Sequence, residues 1–377
     1  MKLLTVEEFA AGEGGKCQPL LAAFARHAPG AIRNVSTRMS ILATGTHFFP
    51  VSINTGDERI GNSYVVSPYT TYTGYAQYEI AQLGAACLTW PLRMLVKAVG
   101  LGLTAARVDQ LVQVNNWLLS TNLYPANWEG ADLPEMTDLL TREFPEHAIS
   151  FRSLNQFSNA KLIGRLENLG YLALPSRQVY LFDARKGEQS EFWHCRDNHN
   201  DARLSRNTSY EIVPGNALAD TDYARLEHLY NLLYLEKYSP LNPQFSADWL
   251  RAGQRDGWLE LRALRSEEGR MDGVAGWFGN SHIFTTPIVG YDTALPQKLG
   301  LYRLITHLSL QEAAQRRCLF NGSAGAARFK RLRGGVPAIE YSLVFVRHLP
   351  VARQQAWRSL VRLLRGIGVP LMQKFRL

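Results

Sequence analysis

Hydrophobic positions recur along this chain with two periods, one typical of helices and one typical of strands. Between residues 221 and 233 they return every three or four residues, which predicts an amphipathic helix. Runs at 258–264, 274–278 and 283–291 predict strands, and Gly279-Asn280-Ser281 between the last two predicts a hairpin. Pro287 interrupts the last of these strands, so that strand must lie at an edge or carry a bulge.

One order of elements occurs twice. Residues 147–154 predict a strand that ends at Asn155, and an amphipathic helix follows and stops at Gly170. The apolar run 318–320 likewise ends at Asn321, before a basic segment that is stopped by glycines and followed by a strand. This weak repeat predicts an α/β (α+β) fold with two similar halves. A chain of 377 residues is also long enough for two cores.

Composition narrows the class of protein. With 46% hydrophobic and 20% charged residues, the chain is expected to be globular and ordered. Its four cysteines are far apart, and the segment around His194, Cys195 and His199 matches no common zinc pattern, so neither a disulfide framework nor a metal site is expected. No signal peptide or uninterrupted apolar span is evident, which favours a cytoplasmic protein.

The charge is unevenly placed. The net charge is +8, but from Arg316 onward the chain has thirteen Lys or Arg residues and one acid, Glu340, for a local charge of +12. An excess of this size predicts an anionic partner, which can be a nucleotide cofactor, a nucleic acid or a lipid surface.

Two motifs carry a family resemblance. Gln297-x-x-Gly300-x-Tyr302 resembles the pyrophosphate-binding signature Q/R-x-x-G-x-G/A of GNAT acyltransferases, except that tyrosine replaces the final small residue. Phe329-Lys330, followed by glycines, resembles the F-K-x-x-x-G segment of Fem-type enzymes. Together with the order of elements, these motifs resemble the two-domain GNAT proteins of the cellulose-biosynthesis-type and Fem-type aminoacyl transferase branches.

The resemblance implies two tandem GNAT-like domains, each a mixed, largely antiparallel sheet flanked by helices. The expected boundaries are 1–190 for a degenerate first copy, 205–350 for an active second copy and 351–377 for a basic C-terminal helix. A bulge at Pro287 would splay two strands and leave a backbone donor for the carbonyl of the donor group. The helix that starts near Gln297 would present free N–H groups to phosphates.

By this resemblance, each part of the site has candidate residues. The donor would be bound by Pro287, Ile288, Val289, Gln297, Lys298, Gly300, Tyr302, Asn321, Lys330 and Arg331. The acceptor would be bound by Glu236, Lys237, Tyr238 and Asn242.

The catalytic groups are less well defined. Glu340, His282 or Asp292 would act as the general base, unless Glu340 serves only to neutralise Arg331 or Arg333. Phe329 stands where many GNAT enzymes have a tyrosine that protonates the leaving thiolate. Either another group, such as Ser323 or Tyr341, supplies that proton, or the donor is not a CoA thioester.

The predicted function is transfer of an acyl or aminoacyl group to an amine-bearing small molecule or peptide, in a cleft between the two domains. The donor would be acyl-CoA, an acyl carrier protein thioester or aminoacyl-tRNA, with no tightly bound cofactor. The alternative is a non-catalytic protein that binds RNA or a membrane surface through Arg358, Arg362 and Arg365 of the last helix. Membrane contact is not expected, and the sequence does not predict the oligomeric state.

Overall fold

The computed structural model describes residues 1–57, 61–82 and 86–375, and these residues form one twelve-stranded sheet with helices on its faces. The strands are β1 Lys2–Leu4, β2 Arg38–Ala43, β3 Phe48–Asn54, β4 Leu111–Val114, β5 Ala148–Asn155, β6 Leu172–Asp183, β7 Glu211–Pro214, β8 Glu260–Arg265, β9 Met271–Gly279, β10 Ile283–Tyr291, β11 Leu319–Asn321 and β12 Val336–Phe345. The order across the sheet is β1-β2-β3-β4-β5-β12-β6-β11-β10-β9-β8-β7.

The helices fill the connections between these strands. They are α1 Val6–Ala11, α2 Glu13–Cys17, α3 Pro19–Ala31, α4 Ala76–Gln82, α5 Ala86–Ala105, α6 Leu133–Glu143, α7 Gln156–Leu169, α8 Arg196–Asn207, α9 Asp222–Asn231, α10 Ala247–Asp256, α11 Leu301–Arg316, α12 Ala327–Arg331, α13 Val351–Leu363 and α14 Val369–Phe375. Single π-helical turns cover Thr70–Tyr75, Leu232–Tyr238 and Leu364–Gly368. None of the described helices is both long and apolar enough to cross a membrane.

Two strand pairs are parallel, β4 with β5 and β10 with β11, and every other pair of neighbours is antiparallel. In each parallel pair one strand ends in an asparagine: Asn155 is the last residue of β5 and Asn321 is the last residue of β11. The Asn155 side chain accepts hydrogen bonds from the backbone N–H groups of Phe157 and Ser158 and so caps α7, which Gly170 ends at a φ of 95°. The fold class predicted from the sequence is confirmed.

The second unit departs from the first after its asparagine. The Asn321 side chain accepts from the backbone N–H of Ser323, and the chain then passes through positive φ angles at Ser323, Gly325 and Ala326. As a result α12 has five residues, whereas α7 has fourteen. The residues between Asn321 and α12 therefore form a loop beside the sheet, where the first half has a helical turn.

The last strand belongs in space to the first half. β12 lies between β5 and β6 and pairs antiparallel with both. β6 in turn pairs with β11, so the sheet continues from one half into the other. The boundaries 1–190 and 205–350 remain predictions, and β12 shows that residues on opposite sides of them build the same part of the sheet.

The halves also share a core. Phe24 of α3 packs against Trp117 with ring centroids 4.8 Å apart, and Trp117 packs against Phe278 of β9 at 5.0 Å. Elsewhere on the sheet, Trp357 of α13 is fully buried among residues from both halves. The predicted basic C-terminal helix is thus two helices, α13 and α14, and residues 376 and 377 lie outside the described residues.

Candidate active site

The strand that contains Pro287, β10, separates from its neighbour β11, as expected for a bulge at Pro287. β10 and β11 pair over three residues, the last pair being Thr285 with Asn321, and the Thr285 hydroxyl donates to the Asn321 carbonyl at 2.9 Å. Immediately after, Thr286 and Pro287 of β10 together lie opposite the single residue Trp277 of β9. This bulge bends β10 where β11 ends, so the two strands separate.

The separation opens into a cavity of about 170 Å³, called the main cavity below. From residues before 190 its walls include Tyr64, Tyr75, Tyr78, Glu79, Ser120 and Arg177. From residues after 205 they include Tyr238, Asn242, Thr286, Val289, Tyr302, Lys330 and the loop 322–326. The main cavity therefore lies where the two halves meet, and both supply polar side chains to it.

One hydroxyl in the wall is unsatisfied. Thr286 is 8% exposed, and its Oγ1 forms no hydrogen bond with any described residue. A buried hydroxyl without a partner is costly, so such groups in a cavity wall are suited to bind a ligand. Thr286 is also one of the two bulge residues, and a carbonyl group placed against this wall can accept from its hydroxyl.

Lys330 places a titratable amine in the same cavity. It lies on α12, and its Nζ donates to the backbone carbonyls of Ser323 at 3.2 Å and Ala324 at 2.7 Å. Burial lowers the pKa of Lys330 to about 7, and the positive charge of Arg177 acts in the same direction. Its burial therefore makes the neutral amine more accessible than it is for an exposed lysine.

Glu79 of α4 supplies an acid whose importance the sequence does not reveal. Burial raises the pKa of its carboxyl group to about 7, although the nearby Arg177 acts in the opposite direction. A carboxylate that titrates near neutrality in a cavity wall is a candidate general base. The only signal in the sequence was a single acid within the segment 69–80, which is rich in tyrosine and threonine.

Glu340 is held by Arg177, not by Arg331 or Arg333 as the sequence suggested. Arg177 Nε donates to Glu340 Oε1 at 2.8 Å across the boundary between β6 and β12. Arg177 also donates to the backbone carbonyl of Ser120 and to Thr121. Burial by itself would lower the pKa of Arg177, but the Glu340 carboxylate outweighs that effect and raises the pKa above its usual value.

Two other predicted catalytic residues lie away from the main cavity. His282 is exposed in the turn before β10 and lines a separate groove, together with Asn321. Tyr341 packs against the core of the first half, beside β5. Ser323, in contrast, lines the main cavity at a φ of 59°. The catalytic roles of these residues remain predictions.

The segment with the pyrophosphate-like signature is partly covered. Gln297 and Lys298 are exposed, and Gly300 has a φ of 68° at the start of α11. A Cβ atom on Gly300 would lie 2.5 Å from Leu204 of α8, so α8 packs directly on this turn. Tyr302 points into the main cavity and packs against Phe329 with ring centroids 4.7 Å apart.

An acidic residue of α8, Asp201, also forms ion pairs with two arginines beside this turn. Asp201 accepts from Arg303 Nε at 2.6 Å and from Arg333 Nε at 2.6 Å. Arg331 is exposed, with its guanidinium 5.9 Å from the centre of the Tyr180 ring. The segment that connects the two halves thus includes a helix, α8, which neutralises two arginines beside this turn.

The predicted acceptor residues divide into two pairs. Tyr238 and Asn242 line the main cavity, and Asn242 also donates to the backbone carbonyls of Tyr234 and Ser239. Glu236 and Lys237 are exposed on the π-helical turn that ends at Tyr238. Ile288 is buried in the core behind the bulge, while Val289 lines the cavity. Within the described ranges, no group of three or more His, Cys, Asp or Glu residues is arranged to hold a metal ion.

Comparison with known proteins identifies the fold. No protein-family profile matches the sequence, and no curated protein matches it. FemX has a similar structure at 8% identity, with a TM-score of 0.50 over 92% of this chain and 98% of that one. L-PGS from Bacillus licheniformis is 14% identical, with a TM-score of 0.42 over 61% of this chain and 77% of that one.

A tandem GNAT protein from the clavulanic acid biosynthesis pathway is 9% identical, with a TM-score of 0.40 over 87% of each chain. At these identities the comparisons bear on the fold, and FemX matches over nearly the whole length of both chains. The resemblance inferred from the sequence is confirmed at that level: the chain has the two-domain GNAT fold found in FemX.

Proposed function

We propose that this protein transfers an acyl or aminoacyl group from an activated carrier to an amine in the main cavity. The observation that carries the proposal is the separation of β10 from β11 at Thr285 and Asn321, which opens into a cavity lined by titratable groups. Thr286, Lys330 and Glu79 provide, within one cavity, a hydroxyl donor, an amine and a carboxylate.

Each group has a role in direct transfer. The donor carbonyl lies against the bulge and accepts from the Thr286 hydroxyl, which favours the oxyanion formed on attack. Glu79 takes a proton from the acceptor amine, whose nitrogen attacks the carbonyl carbon. A C–N bond forms, the bond from the carbonyl carbon to the carrier sulfur or oxygen breaks, and the departing atom receives a proton from the Lys330 ammonium.

Glu340 then has a positioning role instead of a catalytic one. Its carboxylate is engaged by Arg177, and Glu340 is not among the described residues that line the main cavity, where the base must reach the acceptor amine. Arg177 lines the main cavity, so its ion pair with Glu340 fixes a positive charge in the wall near Glu79. We assign the base to Glu79 on this ground.

Among donors, the geometry favours an aminoacyl ester carried by tRNA over free acyl-CoA. Leu204 packs on the turn at Gly300, where a pyrophosphate would need the N–H groups at the start of α11, and Asp201 occupies two arginines there. The local charge of +12 from Arg316 onward suits a large polyanion. The Fem-type resemblance of Phe329-Lys330 supports the same donor.

The non-catalytic alternative has less support. The last helices bury Trp357, and Arg353 of α13 donates to the backbone carbonyls of Ala106 and Arg107. These contacts dock α13 on the protein itself. A basic surface without a cavity function would not explain why Thr286, Glu79 and Lys330 line one cavity.

A donor panel tests the proposal. The purified protein is incubated with tRNA charged with radiolabelled amino acids, with radiolabelled acetyl-CoA, or with acylated carrier protein, each with and without a mixture of free amino acids and dipeptides. We expect amine-dependent consumption of the aminoacyl-tRNA, and a loss of about 10²-fold in rate for Lys330→Met. The exposed Lys16→Met is the matched control and should retain the full rate.

Consumption of acetyl-CoA or of acylated carrier protein would support the proposed transferase activity but show that aminoacyl-tRNA is not the donor. The proposal is overturned if none of the three donors is consumed in the presence of amines. It is also overturned if Lys330→Met and Thr286→Val both transfer as fast as the unmodified protein.

A further inference from the structure

A second cavity adjoins the main cavity, and its lining includes no residue of the motif at 297–302 or of the Phe329-Lys330 motif. Its volume is about 70 Å³, and we call it the polar cavity. It shares Tyr64, Tyr75, Glu79, Arg177 and Ala324 with the main cavity, so these residues lie between the two spaces. On its far side it is lined by Arg152 and Ser153 of β5 and by Tyr72.

The polar cavity contains a positive charge without a paired carboxylate. Two arginines, Arg152 and Arg177, and two acids, Glu79 and Glu340, line it, and Glu340 is paired with Arg177 at 2.8 Å. Within the described part of the chain, the hydrogen bonds of Arg152 go from Nη1 to the neutral oxygens of Val65 and Asn116. The Glu340 charge also acts on Arg152, but no carboxylate among the described residues forms an ion pair with it. A partly buried guanidinium in this position attracts an anion, because desolvated charge is costly when it is not paired.

One hydroxyl group in the same walls is also unsatisfied. Ser153 is 4% exposed and its hydroxyl has no hydrogen-bond partner among the described residues, while the hydroxyl of Tyr72, 9% exposed, lies beside that of Ser342. Buried hydroxyls normally have partners, so the orphan Ser153 hydroxyl in this small cavity indicates that a bound group completes it. The Ser153 and Tyr72 hydroxyls can both donate to an oxygen acceptor.

The backbone is irregular at this point. Arg152 and Ser153 together lie opposite the single residue Ser342 of β12, which makes a bulge in β5. Ser153 has a φ of 64°, a left-handed conformation that is strained for a residue with a side chain. Bulges and strained residues of this kind occur next to binding sites, where they redirect side chains.

From these observations we infer that the polar cavity binds the carboxylate of the acceptor, with Arg152 as the counter-ion and Ser153 and Tyr72 as hydrogen-bond donors. The acceptor is then an amino acid or a short peptide, whose amine reaches Glu79 in the shared wall while its carboxylate lies beyond it. This inference rests on the proposed function for the identity of the ligand as an acceptor. It adds the chemical class of that acceptor, which neither the motifs nor the fold provides.

Binding without any donor tests the inference apart from the transfer reaction. Calorimetric titration uses free L-amino acids and glycylglycine as probes, and compares each with its C-terminal amide, which lacks the negative charge. We expect at least one carboxylate probe to bind and its amide to bind at least about tenfold more weakly, since hydrogen bonds to a charged group are the stronger ones. Burial lowers the pKa of Arg152, and that shift should be relieved when a carboxylate binds.

Variants locate the binding. Arg152→Gln should weaken binding of the carboxylate probe at least about tenfold and leave binding of the amide unchanged. Ser153→Ala should weaken binding of the carboxylate probe about threefold to tenfold. Arg165→Gln, which removes an arginine that is 45% exposed on α7, is the matched control and should bind as the unmodified protein does. If Arg152→Gln does not fold, Ser153→Ala and Tyr72→Phe carry the same test.

The outcomes separate this inference from the proposed function. Equal binding of acid and amide, no binding by any probe, or unchanged binding by Ser153→Ala and Tyr72→Phe overturns the inference. Transfer to amines with no preference for a carboxylate would leave the proposed function standing and remove this inference alone. Carboxylate binding that depends on Arg152, without transfer from any donor, would support a carboxylate site in the polar cavity and overturn the proposed function.

Discussion

The Glu340 carboxylate accepts a hydrogen bond of 2.8 Å from Arg177 Nε, directly across the boundary between β12 and β6. Their side chains are 3% and 15% exposed, so the pair is almost completely removed from water. One partner comes from the strand that ends the second half and the other from the first half. The pair therefore fixes the position of β12 and also forms part of the wall between the two cavities.

Breaking this ion pair is expected to destabilise the fold strongly. Glu340→Gln leaves the Arg177 guanidinium buried without a counter-ion, so the free energy of unfolding should fall by about 3–5 kcal/mol. Urea denaturation measures the loss. The double variant Arg177→Met with Glu340→Met removes both charges and should recover most of it. An unchanged urea midpoint for Glu340→Gln would contradict the prediction.

The pH dependence of transfer should have an acidic limb set by Glu79. Its pKa is raised to about 7, and only the carboxylate can accept a proton, so the rate should fall as the pH drops through 7. Glu79→Gln should lose about 10²–10⁴-fold in rate and show no acidic limb. Single-turnover rates between pH 5 and 9 measure both effects.

The raised pKa of Glu79 also has a consequence for stability. Between its unfolded value near 4.5 and its folded value of about 7, the folded protein binds the proton more tightly than the unfolded chain does. The contribution of this group to stability is thus complete below pH 4.5 and is lost as the pH rises through 7. Glu79→Gln should lose that dependence, and an identical profile of stability against pH in both proteins would contradict burial of the carboxyl.

Lys330 should set the alkaline limb. The pKa of its ammonium is lowered to about 7, and the proposed proton donor must be charged, so the rate should fall as the pH rises above 7. Lys330→Met should have a low rate that is insensitive to pH in that range, while Lys330→Arg, with a group that does not titrate there, should keep the charge but lose the limb. A limb that persists in both variants would exclude this role.

Thr286→Val separates function from stability. The Thr286 hydroxyl has no partner in the free protein, so its removal should leave the urea midpoint unchanged or slightly raised. Loss of a donor to the oxyanion should lower the transfer rate about 10²-fold. Thr141→Val, which removes a hydroxyl bonded to the Thr137 carbonyl within α6, serves as the matched control and should transfer at the normal rate. Equal rates for both variants would contradict the assignment.

Local patterns predicted the elements well, because each depends on residues close in sequence. The hairpin of β9 and β10 with a bulge at Pro287 follows from turn residues and from a proline that cannot donate to the ladder. The helix stop at Gly170 follows from its left-handed conformation. The repeated order of strand, asparagine and helix also matches the structure, in which both asparagines end a strand of a parallel pair.

The long-range features could not be read from these patterns. Nothing in the sequence of β12 shows that its neighbours are β5 and β6, so Arg177 was not foreseen as the partner of Glu340. The role proposed for Glu79 depends on burial by side chains of both halves, which no local period records. The covering of Gly300 by Leu204 likewise depends on where a polar connector folds.

The position of β12 has a consequence for how the chain is made. In the native sheet β6 has only two neighbours, β11 and β12, and both are synthesised long after β6 itself has left the ribosome. Until then β6 and one edge of β5 expose backbone groups that can pair with another nascent chain. The first half cannot complete its sheet ahead of the second, so both halves must reach the native state together, and aggregation during synthesis competes with that step.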